Sequence, residues 1–256
     1  MSTAALETEG LSRRFGGLAA VQDVSISVPQ GTVLGVIGPN GAGKSTLINL
    51  ITGHVKPSAG RVRVAGRDVT GERPWTIAKA RVARTFQIVK PFRDLTVREN
   101  AAIGAMFGPD AERGVRRAAA RADEVLERVG LADRADASPG DLSVADARRL
   151  ELAKALAMNP RVLLLDEVMA GLRHGEIDPA LALIRSLRDE GMTIVAVEHV
   201  MRAIMSISDT VLVMHEGREL VTGPPERVVE DDRVIEAYLG ERYAQRARAK
   251  DGDAAD

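Results

Sequence analysis

The sequence predicts an α/β fold in which a mostly parallel sheet carries a phosphate-binding loop. The first observation behind this prediction is a glycine-rich loop at residues 38–46. It lies between an apolar run of strand-favouring residues and an apolar segment with helical periodicity. The second is a pair of later runs, 161–167 and 192–197, whose central residues, 162–165 and 194–197, are wholly apolar. Such runs are typical of strands that are buried on both faces of a parallel sheet.

Composition excludes several classes of protein. With 256 residues, 45% of them hydrophobic, the chain can form one large domain with a full core. The net charge of −1 argues against nucleic acid as the main partner, and the lack of cysteine rules out disulfide and thiolate chemistry. No apolar run approaches the roughly 18 residues of a membrane span, and no secretion signal is evident. We therefore expect a soluble, cytoplasmic chain that reaches a membrane only through a partner.

The segment before the glycine-rich loop predicts antiparallel strands. Residues 4–28 hold short alternating runs that are broken by Gly16-Gly17, and residues 60–66 alternate in the same way. Phe15 lies beside the glycine turn. On sequence alone it either stacks on a purine base or fills a small β core.

The glycine-rich loop matches G-x-x-x-x-G-K-[ST], the pattern that cradles nucleotide phosphates. It consists of Gly38, Pro39, Asn40, Gly41, Ala42, Gly43, Lys44, Ser45 and Thr46. The strand before it and the helix after it direct free backbone N–H groups and the positive end of the helix dipole towards an anion. Lys44 is expected to reach the β- and γ-phosphates, and Ser45 to offer its hydroxyl to Mg²⁺. A chance match is the alternative, and the flanking strand and helix argue against it.

Residues from about 88 to 158 predict a helical insertion. Alanine and arginine dominate there, and Thr96 with Glu99 forms the capping box that opens a helix. Parallel-strand patterns resume directly afterwards, so we expect an insertion rather than a second domain. Gln87 comes just before it, at the end of a predicted strand.

Three further elements are predicted after the insertion. Asp178-Pro179 is typical of a helix start, and this helix is expected to run to Glu190. Residues 210–221 predict a β-hairpin. The charged, alanine-rich residues 241–256 predict a disordered tail.

Acidic residues and a histidine follow two of the buried strands. Asp166 stands at the carboxyl end of a strand, where open α/β sheets bind their ligands, and it can hold Mg²⁺ beside Ser45. Glu167 can orient or deprotonate an attacking water. His199 could contact the γ-phosphate, although a lone histidine is more often structural.

The order of these features resembles the ATP-binding subunits of ABC transporters. Besides the phosphate loop, the resemblance is carried by Thr85-Phe86-Gln87, Leu142-Ser143, residues 163–167 and Val197-Glu198-His199. It covers residues 6–240. Within the family the chain is most similar to the branched-chain amino acid uptake group, through residues 11–18, 92–100 and 233–240. The resemblance implies a P-loop NTPase core of the ABC ATPase type, with an antiparallel β lobe and the helical insertion.

The same resemblance implies a role for individual residues. Phe15 would stack on adenine, and Gln87 would sense Mg²⁺ and the γ-phosphate. Glu167 would be the catalytic base and His199 the switch. ATP and Mg²⁺ are the expected substrate and cofactor.

The resemblance also implies partners. A second ATP-binding subunit, identical or different, would close head-to-tail on this one. Two membrane-spanning permease subunits would contact the segment just past Gln87 and hold the chain at the inner face of the cell membrane. A solute-binding protein would take part indirectly, and nucleic acid would not.

Several positions depart from the family pattern. Where the family signature reads LSGGQ, this chain reads Leu142-Ser143-Val144-Ala145-Asp146. Ala145 replaces a glycine that approaches a γ-phosphate closely, and Asp146 adds negative charge. Val168 replaces a proline, Arg173 an Asp or Asn, and Val200 an Asp.

Two functions therefore remain open on sequence. The first is a transport ATPase that drives uptake of branched-chain amino acids, or of urea, amides or other polar solutes. The second is a regulatory ATP-binding module that hydrolyses little ATP. The intact Glu167 and His199 favour the first, whereas the altered signature and Arg173 favour the second.

Overall fold

A computed structural model describes residues 4–111 and 114–238 of the chain. The expected disordered tail, residues 241–256, lies outside the described residues. So does the end of the family-like segment at Leu239-Gly240.

The strands of the described residues form two sheets, which confirms the α/β fold with an antiparallel lobe. They are β1 (Ala4–Phe15), β2 (Leu18–Pro29), β3 (Val33–Ile37), β4 (Ala59–Val64), β5 (Arg67–Asp68), β6 (Val82–Arg84), β7 (Val162–Asp166), β8 (Thr193–Val197), β9 (Thr210–His215) and β10 (Arg218–Gly223). The antiparallel sheet has the order β2-β1-β4-β5. The larger sheet has the order β10-β9-β3-β8-β7-β6, with parallel pairing from β9 to β6 and the predicted hairpin at β9-β10.

Helices cover the larger sheet and fill the connections between its strands. They are α1 (Lys44–Ile51), α2 (Pro74–Lys79), α3 (Val97–Phe107), α4 (Val115–Arg128), α5 (Val144–Ala157), α6 (His174–Asp189), α7 (Met201–Ile207) and α8 (Pro225–Val229), and residues 232–238 are also helical. Helices α3, α4 and α5 pack on one another between β6 and β7, where the sequence predicts a helical insertion. Within 4–111 and 114–238, no helix has the length and apolar character needed to cross a membrane.

Strand β3 is buried on both faces, which explains its continuous apolar sequence. Val33 and Ile37 belong to the core beneath helices α3 to α7. Leu34 and Val36 face the other core, which lies between the larger sheet, α1 and the antiparallel sheet. The phosphate loop is therefore attached to one of the most constrained strands of the molecule.

The predicted start of one helix is wrong. Helix α6 begins at His174, four residues before the expected Asp178, and Pro179 lies inside it. The cap is supplied upstream, because the backbone N–H of Arg173 donates to Glu176 Oε2 at 2.8 Å. By contrast, the capping box of Thr96 and Glu99 at the start of α3 is confirmed.

Asn100 organises the segment that leads into α3. Its side chain is fully buried, and its Oδ1 accepts the backbone N–H of Phe92 at 2.8 Å. Its Nδ2 donates to the carbonyl oxygens of Phe92, Leu95 and Thr96 at 3.0, 3.2 and 2.9 Å. One side chain thus contacts four backbone groups, and for the Phe92 N–H and the Leu95 carbonyl oxygen it is a partner that no regular element supplies.

We expect Asn100→Ala to lower the free energy of unfolding by about 1–3 kcal/mol, because it leaves the Phe92 N–H and the Leu95 carbonyl oxygen without this side-chain partner. Urea denaturation of both proteins measures the difference. The control is Gln30→Ala, which removes an amide from an exposed position. Equal destabilisation by the two substitutions would show that the Asn100 network contributes nothing specific.

Candidate functional site

The phosphate loop joins β3 to α1 and is tightly enclosed by other segments. A Cβ at Gly38 would lie 2.2 Å from the carbonyl oxygen of Met214, and one at Gly43 would lie 2.4 Å from that of Ala20. Gly43 also has φ +100°, in the left-handed region that favours glycine. Glycine is therefore required at both positions for the neighbouring strands to press against the loop backbone.

Lys44 places a desolvated positive charge inside the loop. Its side chain is buried, and its Nζ donates to the carbonyl oxygens of Gly38 and Pro39 at 2.6 and 2.9 Å. The loop thus holds its ammonium group in place with its own backbone. Such a group interacts strongly with an anion, because little water screens it.

A cleft of about 740 Å³ opens over the loop and brings most of the predicted nucleotide-binding residues together. Its lining includes Phe15, Asn40, Gly41, Ala42, Gly43, Lys44, Ser45, Thr46, Glu167 and His199. The first two residues of the loop, Gly38 and Pro39, are buried and do not line this cleft. Phe15 is 45% exposed, so the interpretation that it fills a β core is wrong. The guanidinium of Arg13 lies 4.6 Å from the centre of the Phe15 ring.

Glu167, Gln87 and His199 form a hydrogen-bonded cluster at the cleft. Glu167 Oε2 accepts from Gln87 Nε2 at 2.6 Å, and Glu167 Oε1 lies 2.5 Å from His199 Nε2. Glu167 is buried and has φ +54°, whereas His199 is half-exposed. Of the three residues predicted to take part in catalysis, Glu167 therefore contacts the other two directly.

Asp166 is buried next to this cluster and carries an unsatisfied oxygen. Its Oδ2 accepts from Arg84 Nη2 at 2.9 Å, while its Oδ1 has no hydrogen-bond partner. Burial raises the pKa of Asp166, and the Arg84 charge opposes that rise. A buried carboxylate oxygen without a donor is a ready ligand for a hard cation.

The three predicted Mg²⁺ ligands line one cleft. Ser45, Gln87 and Asp166 all border a second space of about 460 Å³, which shares Ser45 with the first cleft. Among the residues that the structure describes, no group of three or more His, Cys, Asp or Glu side chains could hold a metal ion. This set of ligands suits Mg²⁺, which is commonly bound by one or two carboxylates together with substrate phosphates.

The altered signature forms a closed local cap. Ser143 Oγ accepts the backbone N–H of Asp146 at 3.1 Å and donates to Asp146 Oδ2 at 2.8 Å. Asp146 Oδ1 also lies 3.4 Å from Arg149 Nη1. The serine hydroxyl is therefore engaged by the aspartate that replaces the family's glutamine. Ala145 is buried in the same turn.

Three residues of the site were missed by sequence reasoning. Arg84 pairs with Asp166, and Glu198 accepts the backbone N–H of Met169 at 2.9 Å. Arg148 Nη1 donates to the carbonyl oxygen of Gln87 and to that of Phe86. No local pattern marks them, because each acts on a segment far away in the chain.

A protein-family model described as ABC transporter matches residues 21–170, more than half of the chain. The chain belongs to the ABC transporter family. A second family model, described as branched-chain amino acid ATP-binding cassette transporter, matches residues 218–244 of this ABC protein. The family inferred from the sequence is thereby confirmed.

Curated relatives and a solved structure agree with this assignment. The ABC protein is 41% identical over 254 residues to the high-affinity branched-chain amino acid transport ATP-binding protein BraF of Pseudomonas aeruginosa. It is 38% identical over 254 residues to the corresponding protein LivG of Escherichia coli. Both matches cover 94% of this chain and 100% of the relative. A crystal structure of the ADP conformation of an ABC transporter's ATP-binding cassette has a TM-score of 0.84 and 32% identity, covering 93% of this chain and 99% of that one.

We expect Arg84→Leu to lower the free energy of unfolding by about 3–5 kcal/mol, because it leaves the buried Asp166 without its ionic partner. Chemical denaturation measures the loss. The matched control is Arg63→Leu, since Arg63 pairs with Glu9 at 2.8 Å on the surface. Such exposed pairs contribute about 0–1 kcal/mol to the free energy of unfolding. If both substitutions cost the same, the Arg84–Asp166 pair is not a structural requirement of the site.

Proposed function

We propose that this ABC protein binds and hydrolyses ATP and so powers uptake of branched-chain amino acids, or of a related small polar solute, through partner membrane subunits. The observation that carries the proposal is the convergence of Lys44, Glu167 and His199 on one cleft. The names of BraF and LivG support the solute class, because both are branched-chain amino acid transport proteins. Urea and amides are the alternative solutes.

The phosphate loop and Phe15 bind the nucleotide. Backbone N–H groups at the start of α1 and the ammonium of Lys44 neutralise the phosphate oxygens. Phe15 stacks on the adenine ring from the exposed edge of the cleft. Mg²⁺, held by Ser45, Asp166 and Gln87, would screen the charge that develops on the phosphates.

Glu167 acts as the general base of the hydrolysis. Its carboxylate is held on both sides by Gln87 and His199, so it can take a proton from an attacking water without first reorienting. His199 shares this contact and lies half-exposed at the cleft, where it can respond to the γ-phosphate. Gln87 donates to Glu167 and also lines the space of about 460 Å³ in which Mg²⁺ would be held.

Two kinds of partner complete the transporter. A second ATP-binding subunit closes head-to-tail on the cleft. The permease subunits dock on the segment just past Gln87, where Ile88 and Phe92 expose large apolar surface. Through them the chain lies at the inner face of the membrane.

One observation favours the second candidate, a regulatory module with little hydrolysis. The hydroxyl of Ser143 is engaged by Asp146, so the turn that would contact a partner's nucleotide is closed on itself. We reconcile the two functions in an asymmetric dimer. The site built on this chain's Lys44 and Glu167 is then the active one when the partner supplies an LSGGQ signature.

We expect Glu167→Gln to reduce ATP turnover by about 10²–10⁴-fold while ATP still binds, because the amide keeps the shape but cannot accept a proton. Phosphate release measures turnover, and titration with a fluorescent nucleotide measures affinity. Lys44→Ala is the matched control, since it should lower affinity by roughly ten- to hundredfold. Near wild-type turnover in Glu167→Gln would remove the main support for hydrolysis.

Repair of the signature tests the asymmetric dimer. The triple change Val144→Gly, Ala145→Gly and Asp146→Gln should raise ATP turnover of the isolated chain by about tenfold or more, since one restored contact to the phosphate is worth about one to two decades in rate. Asp146→Asn alone separates the effect of charge from that of the added Cβ atoms. If the unmodified chain already turns over as fast as the repaired one, the departures are harmless and the asymmetry argument fails.

A further inference from the structure

Glu198 is a buried carboxylate to which neither the family pattern nor the proposed mechanism gives a role. It directly follows β8 and is only 2% exposed. Its Oε1 accepts the backbone N–H of Met169 at 2.9 Å. The Glu198 side chain therefore holds the backbone two residues after the general base, while its own backbone precedes the switch histidine.

The backbone that Glu198 holds is strained. Glu167 has φ +54°, a left-handed conformation that non-glycine residues adopt only where the surroundings impose it. On its N-terminal side the constraint is the hydrogen bond from the Glu167 N–H to the carbonyl oxygen of Val197 at 2.9 Å. On its C-terminal side it is the bond from Met169 to Glu198. Two residues at the end of β8, Val197 and Glu198, thus hold the backbone on both sides of Glu167.

The electrostatics of Glu198 are unfavourable for a residue that serves packing alone. Burial, with the nearby charge of Glu167, raises the pKa of Glu198 to about 7, and the charge of Arg148 and the Met169 N–H only partly oppose this. An apolar side chain would fill the space without a desolvation penalty. What it could not supply is an acceptor for the Met169 N–H.

We propose that Glu198 is a positioning residue for ATP hydrolysis, which holds Glu167 in its left-handed conformation by fixing the N–H of Met169. The inference rests on the proposed function, since it assumes that Glu167 is the base. Glu198 is buried and does not line the cleft over the phosphate loop. It acts through the turn and keeps the Glu167 carboxylate between Gln87 and His199.

Two substitutions separate positioning from general structure. Glu198→Gln keeps an oxygen acceptor of the same length, so kcat should stay within about threefold of wild type. Glu198→Ala removes the acceptor, and kcat should fall by about tenfold or more, while KM for ATP changes less than about twofold. Glu219→Ala, at an exposed position on β10, is the control and should change neither constant.

Hydrogen–deuterium exchange of the peptide spanning residues 166–172 gives a readout that does not need turnover. Exchange should be faster in Glu198→Ala than in wild type and unchanged in Glu198→Gln. Faster exchange with an unchanged kcat, or an equal loss of kcat in the Gln and Ala variants, would overturn the positioning role. Absence of turnover above the Glu167→Gln background in the wild type would instead overturn the proposed function, and with it any role of Glu198 in hydrolysis.

Discussion

Parallel pairing of β3, β8 and β7 is the constraint on which the site depends. Val36 pairs with Val197, and Val197 pairs with Asp166, so three strands end at the same level of the sheet. The residues that follow these strands are consequently neighbours although they lie far apart in the chain. A shift of one residue in either pairing would turn their side chains to opposite faces and separate the phosphate loop from Glu167.

The same edge of the sheet concentrates buried charge. Lys44, Arg84, Asp166, Glu167 and Glu198 are all largely removed from water, and two of the carboxyl groups have raised pKa values because of burial. The apolar cores on both faces of the larger sheet offset this cost. Each charge is held by backbone groups, by an opposite charge or, for Glu167, by the side chains of Gln87 and His199, so each buried charged group has a hydrogen-bonding partner.

The sequence predicts those parts of the molecule that are determined by local patterns. The phosphate loop, the apolar strands buried on both faces and the capping box at Thr96 each carry their signal within a few residues. The start of α6 was misplaced, because Asp178-Pro179 satisfies the rule for a helix start while the actual cap is made by Glu176. Arg84 and Glu198 could not be found, since their partners lie 82 and 29 residues away and only the sheet brings them together. The contact of Ser143 with Asp146 spans three residues and could have been predicted as an N-cap.

The two hydrogen bonds of Arg148 have a mechanical consequence. Because a planar guanidinium donates to the carbonyl oxygens of two successive residues, Phe86 and Gln87, α5 cannot slide or rotate past that segment without breaking them. The side chain of Gln87 in turn holds Glu167. Helix α5 is therefore linked to Glu167 through two side chains, those of Arg148 and Gln87, so a displacement of α5 that preserves these bonds also moves the segment from which Gln87 reaches the cleft.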